Sequence, residues 1–210
     1  MNINIDIYSD TICPWCYIGF NKLKSSMSDF KNLEFNIIWR PFQLNPKMPI
    51  KGMARQKYLE LKFGGKENAK KTYEDIYKAG LINDIHFQFD KITITPNSFY
   101  SHKLLALAYE FKKQTAVVET IFYEYFIEGV DIGNIDEIIR IAQQHSIKKD
   151  NIQQYLESEE DNKSLLAEET HARSIGVTGL PCFIINKAFV VFGAQDKQYF
   201  SNIFRDISSG

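Results

Sequence analysis

Two cysteines at C-x-x-C spacing, Cys13-Pro-Trp-Cys16, carry the most specific chemistry in this sequence. A thiolate attacks a disulfide sulfur to give a mixed disulfide, and a second thiol one helical turn away resolves it. The residues before the pair, Ser9-Asp-Thr-Ile12, follow an alternating segment, and an amphipathic run to about Phe30 comes after it. The pair therefore sits on a strand-to-helix turn. Pro14 suits the first helical position, where its missing N–H costs nothing, and Asp10 or Thr11 can help start the helix. Cys13 then lies at the helix N-terminus, where unpaired N–H groups and the helix dipole favour its thiolate. A static disulfide or half of a zinc site are the competing readings. Zinc wants four ligands, and no second C-x-x-C or H-x-x-x-H completes such a site, so no metal is expected. Near a βαβ pattern, C-x-x-C is a redox signature.

The second motif is Gly179-Leu-Pro-Cys-Phe183. A proline directly before an apolar strand marks a strand start or a tight turn, and on the residue alone both isomers of the Leu180–Pro181 bond stay open, trans being the commoner. Cys182 reads as a small hydrophobe at the start of a strand, with a third thiol near the pair as the alternative. Among the remaining polar residues, His102 falls on a helical pattern. His86, His145 and His171 are expected on surfaces or in local caps, and Arg40 either pairs with an acidic neighbour or meets a ligand. The aromatic set Phe122, Tyr123, Tyr125 and Phe126 reads as bundle packing before it reads as a groove. The lysines of 62–71 read as a solvated helix face.

These residues need a frame to hold them. Ile3 to Tyr8 alternates with period two, and a second strand is expected from Glu34 to Phe42, with Phe35, Ile37 and Trp39 on one face and Ile38 breaking the pattern. From about Met53 to Ile175 helical spacing dominates. Helices are predicted near 53–63, 67–79, 97–113, 115–128, 134–145, 149–157 and 161–174, punctuated by glycines and Pro96. After Gly176 the pattern switches back: the apolar runs 182–185 and 189–192 flank Asn186-Lys187 as a hairpin, and a last helix runs from about 196 to 207. The order βαβ, helices, ββα is that of a mixed sheet with an inserted block. Two parallel strands with a crossover helix need the hairpin and the final helix to bury both faces. The expected fold class is α/β, with residues 1–50 and 176–210 forming one domain around an all-helical insertion at 51–175.

Composition narrows the function classes. The 210 residues carry 25 Lys+Arg against 26 Asp+Glu, a net charge of −1, which argues against nucleic acid or an anionic membrane as the main partner. With 44% hydrophobic residues, a chain of this length buries about 70% of its unfolded surface, enough to fold without disulfides or metal. Three cysteines do not make the even framework of a small secreted scaffold. The segment Met1 to Tyr8 has neither a basic start nor a long apolar run, so a cytoplasmic protein is expected.

Taken in order, the motifs resemble the DsbA-like thioredoxin-fold oxidoreductases, most closely their FrnE-type cytoplasmic branch. Beside Cys13-Pro-Trp-Cys16 and Gly176-Val-Thr-Gly-Leu-Pro-Cys-Phe183, the resemblance takes in Trp39-Arg-Pro-Phe-Gln-Leu-Asn-Pro46, Lys62-Phe-Gly64, Thr95-Pro-Asn-Ser-Phe99 with His102, Gly129-Val-Asp-Ile-Gly133 and Val191-Phe-Gly-Ala-Gln195. It implies a thioredoxin fold interrupted by helices, Cys13 as nucleophile, Cys16 as resolving thiol and a cis Pro181 packed beside them. It also implies that the Leu180 backbone pairs with substrate peptide. Pro14, Trp15, Asn97 and His102 complete the candidate substrate contacts. Cys182 departs from the branch, which usually has an aromatic residue there.

The leading expectation is an enzyme that reduces or isomerises disulfides in proteins or peptides, with no bound cofactor and with glutathione or another thiol reductant recharging the pair. The related alternative is a glutathione-dependent isomerase of small aromatic acids, similar to 2-hydroxychromene-2-carboxylate isomerase. That class usually carries serine at the position of Cys13, so the intact pair counts against it. A peptide-binding module with incidental thiols is the alternative from a different class.

Overall fold

A computed structural model describes residues 1–148 and 150–209, the side chains of Glu160 and Asp161 excepted. Strand β1 (Asn2–Ser9) buries Ile3, Ile5 and Ile7 on one face, as alternation requires. The chain turns into helix α1 (Pro14–Met27) and returns along β2 (Glu34–Pro41), parallel to β1, with Ile5 opposite Ile37 and Ile7 opposite Trp39. Between here and the next strand of the sheet lies the helical block. It comprises β3 (Met53–Ala54), α2 (Arg55–Phe63), α3 (Lys66–Leu81), a short 3₁₀ helix (Phe89–Lys91) and β4 (Ile94–Thr95). It continues through α4 (Phe99–Glu110), α5 (Gln114–Tyr123), a π-helical turn (Glu124–Glu128), α6 (Ile135–Gln144), α7 (Ile152–Glu157) and α8 (Glu159–Ser174). Strand β5 (Cys182–Ile185) then pairs antiparallel with β1, β6 (Phe189–Phe192) pairs with β5, and α9 (Lys197–Ser209) closes the chain. The sheet order is β2-β1-β5-β6.

Two expectations from the sequence change. The block is not purely helical: Met53–Ala54 and Ile94–Thr95 form a two-stranded ladder, which takes the first residues of the helix expected at 53–63. Two residues per strand are too few to show a period of two. The helix expected over 115–128 leaves α-geometry at Glu124. There the Val130 N–H reaches back to the Glu124 carbonyl at 2.9 Å, and Gly129, at φ +75°, ends the turn against Lys91. A Cβ on Gly129 would stand 2.6 Å from the Lys91 carbonyl oxygen, so only glycine allows that approach. The helix expected from 149 has its first residue outside the described residues. Its described part starts at Ile152, after Asn151 caps the Gln154 N–H.

One apolar core runs from the sheet into the helical block. Trp39 meets Phe20 of α1 edge-on at 4.8 Å and Phe122 of α5 at 6.1 Å, and Tyr17 stacks on Phe122 at 5.1 Å. The outer edge of β2 is closed by a side chain. Gln114 accepts from the Trp39 N–H (2.8 Å) and donates to the Trp39 carbonyl (3.0 Å), as a neighbouring strand would.

Candidate active site

Cys13 is the N-cap of α1, and Pro14 occupies the first helical position. The Cys13 N–H donates to the Asp10 carbonyl and the Cys16 N–H to the Cys13 carbonyl, both at 3.0 Å, so the two cysteines span the opening turn. Cys13, Cys16 and Cys182 are free thiols. Both cysteines of the pair are buried, Cys13 at 4% exposure and Cys16 at 1%. Cys13 is thus not an open thiol. It belongs to the apolar core shared with the helical block and lies close enough to Tyr73 of α3 to act on its phenol. Burial pushes the Cys16 thiol well up, and adjacent Cys13 adds to the shift. The Ser9 hydroxyl and the Asp10 N–H act in the opposite sense. Ser9 Oγ lies beside that thiol without a hydrogen bond of good geometry.

The Leu180–Pro181 bond is cis. Pro181 packs on α1 at Gly19, where a Cβ would stand 2.8 Å from Pro181 Cγ and 3.3 Å from Phe183 Cζ. The Pro181 carbonyl accepts from the Gly193 N–H at 2.8 Å. Trp15 is exposed at the surface beside this turn of α1, Pro14 is buried, and Leu180 is half-buried. Among the described residues, no hydrogen-bond partner engages the Leu180 backbone. Cys182 turns to the other face of the sheet from Phe183. It packs there with Tyr8, Phe42, Ala172 and Val177, and burial pushes its thiol up to about 11.

Under the pair lies a polar layer, of which the resemblance singles out only Asn97 and His102. Asp10 is fully buried; its Oδ1 accepts from the Ile12 N–H (3.3 Å) and its Oδ2 from the Leu44 N–H (2.7 Å). His102 is buried on α4, with Nε2 3.5 Å from Asp10 Oδ1. Glu169 of α8 accepts from the Gln43 N–H at 2.8 Å, and burial raises its carboxyl. The Gln43 side chain donates to Asn97 Oδ1, which also accepts from the Phe99 N–H, while Asn97 Nδ2 holds the Met48 carbonyl. Asn97 therefore fixes the loop after β2. Arg40 pairs with Asp6 at 2.7 Å, which is the structural half of its two readings. Phe122, Tyr125 and Phe126 are core residues, whereas Tyr123 is half exposed.

Arg55, the first residue of α2, is the residue that sequence reasoning missed. It is 7% exposed. Its guanidinium stands 4.9 Å from the Tyr73 ring centroid, and Nη1 donates to Tyr125 Oη at 3.2 Å. Among the described residues, no carboxylate lies within ion-pair distance of it. With Tyr73, Tyr77, Phe87 and Phe89 it lines a groove of about 970 Å³ between α2 and α3. No group of three or more potential metal ligands occurs among the described residues. Nor is any described helix long and apolar enough to cross a membrane.

A thioredoxin-type sheet with a free cysteine pair at the first helix and a proline turn packed on that helix defines a class of thiol-active proteins. The chain belongs to the DSBA-like thioredoxin domain family, whose model matches residues 4–205. It is 22% identical over 212 residues to the protein YwbO of Bacillus subtilis (strain 168), covering 98% of each chain. It also resembles the solved structure of a probable DsbA oxidoreductase, SCO1869, from Streptomyces coelicolor. There the TM-score is 0.86 and the identity 21%, over 97% of this chain and 89% of that one. Cytosolic disulfide reductase DsbM from Pseudomonas aeruginosa, solved with GSH, superposes at TM-score 0.64 and 12% identity, over 98% of this chain and 99% of that one.

Proposed function

We propose that this protein is a cytoplasmic thiol–disulfide oxidoreductase that reduces or isomerises disulfides in proteins and peptides through Cys13 and Cys16. The observation that carries the reading is the free pair itself, with the first sulfur at the cap of α1 and the second buried a turn inside. Cys13 thiolate attacks one sulfur of the substrate disulfide, a mixed disulfide forms, and the released substrate sulfur takes a proton from solvent. Cys16 then attacks Cys13, closing the protein disulfide and freeing the second substrate thiol. Two thiols of a reductant such as glutathione restore the pair. The unengaged Leu180 backbone beside Pro181 supports a role in pairing with extended substrate, and exposed Trp15 supports a contact surface for it.

Turnover of insulin disulfides with glutathione as reductant tests this. The wild-type protein should reduce insulin catalytically, Cys13→Ser should abolish turnover, and Cys16→Ser should accumulate a mixed disulfide at Cys13 visible by intact mass. Full turnover by Cys13→Ser would remove the pair from the reaction.

A further inference from the structure

The resolving half of this reaction leaves a proton to be placed. Cys16 is 1% exposed, so bulk water does not reach its thiol before it attacks the Cys13–substrate disulfide. Two buried polar atoms without a hydrogen-bond partner mark a way out: Ser9 Oγ, beside the Cys16 thiol, and His102 Nε2. Both residues line one cavity of about 290 Å³ between the β1–β2 end and helices α4 and α8. Its wall includes Arg40, Glu168 and Tyr109, which are partly exposed and open it to solvent. A polar cavity of this size accommodates several waters. A hydroxyl can accept a proton from a thiol while passing its own onward, and a neutral imidazole nitrogen can accept it.

On the redox reading above, we propose that His102 is a proton-relay residue for resolution, receiving the Cys16 proton through the Ser9 hydroxyl and cavity water and passing it to solvent past Arg40 and Glu168. Asp10 Oδ1, 3.5 Å from Nε2, stabilises the imidazolium once the proton arrives. Glu169 on α8 also acts on His102 with its negative charge; Arg40 and neighbouring Lys103 are the cations at this cavity. The step balances. Cys16 supplies the new S–S bond to Cys13, the old bond breaks with its electron pair on the leaving substrate sulfur, and that sulfur is protonated from solvent.

The test loads reduced protein with oxidised glutathione, so that glutathione occupies Cys13, and follows glutathione release against pH. Wild-type release should slow as pH falls and level off as it rises. His102→Ala should slow release by roughly 100-fold and replace that profile with the steady rise with pH expected when hydroxide must take the Cys16 proton directly, and added imidazole should restore part of the rate. Ser9→Ala should slow release without rescue by imidazole, and it decides the matter if His102→Ala does not fold. Wild-type rates in both variants, or a slow His102→Ala with an unchanged pH profile and no rescue, would overturn the relay. A wild-type protein that never forms the mixed disulfide would overturn the redox reading and the relay with it.

Discussion

Cysteine burial makes the three thiols unequal, and two measurable consequences follow. Cys182 is enclosed by Tyr8, Phe42, Ala172 and Val177, and its thiol is raised to about 11 against a free value of about 8.5. Because the folded state holds this proton more tightly than the unfolded state, the associated stability is complete below about pH 8.5 and is lost as pH climbs toward 11. Cys182→Val keeps the packing and removes the proton. Urea midpoints of variant and wild type should therefore converge or cross between pH 8 and about 10.5, in favour of the variant at the alkaline end. The second consequence concerns direction of redox work. Pro14 and Trp15 place no cation between the active cysteines, and Arg55, the buried cation nearby, is held by Tyr125 and the Tyr73 ring. The less the reduced form is stabilised, the less oxidising the couple, so the potential should lie between about −270 and −120 mV and nearer the former. Equilibration in glutathione buffers followed by alkylation and mass measurement reads it; a value near −120 mV would make the protein an oxidant.

Elements are held against each other at a few close approaches, and α1 against the Pro181 turn is the one that governs the site. Gly19→Ala would place a methyl 2.8 Å from Pro181 Cγ, and a proline ring has no rotamer by which to retreat. Alanine favours the helix by up to about 1 kcal/mol, while overpacking costs typically about 1–3 kcal/mol. The net expectation is a loss of roughly 1 kcal/mol in urea denaturation, together with slower insulin reduction as the Pro181 turn moves off α1. A gain in stability would show that the sheet yields at β5. Strand β2 depends in the same way on α5: without the Gln114 amide, the Trp39 N–H and C=O are buried at an uncovered edge. Gln114→Ala should cost about 1–3 kcal/mol.

The apolar core sets the cooperativity of the molecule as a whole. Phe20, Trp39, Tyr17 and Phe122 join the sheet, α1 and α5 without a polar seam, and the same cluster continues to α6 and α9. A helical block with its own core would unfold separately; one that shares the core of the sheet should unfold with it. Trp39, buried at the junction, reports on the shared core by fluorescence, and far-UV circular dichroism is dominated by the helices. The two urea transitions should coincide. Helical signal persisting after Trp39 is exposed would show that residues 51–175 hold together as a separate domain.

What the sequence determined by itself is local. Alternation at 3–8 and, with a break at Ile38, at 34–42, the short apolar runs at 182–185 and 189–192, the glycine and proline punctuation of the helices, and the turn carrying Cys13-Pro-Trp-Cys16 specify the βαβ…ββα order and the chemistry of the pair, because neighbouring residues alone determine periodicity and capping. The tertiary structure decided what no local pattern contains. It buried Cys13 in the core shared with the helical block, sent Cys182 to the far face, and made Arg55 a buried cation. It also brought Asp10, Gln43, His102 and Glu169 into one layer, although Asp10 and Glu169 are separated by most of the chain. Each of these residues is polar, and no pattern within its own segment marks it for burial. They are buried together because the sheet and the helices close over the same volume, and the Asp10 and Glu169 carboxylates then take the Leu44 and Gln43 N–H groups, since an unpaired buried carboxylate is costly.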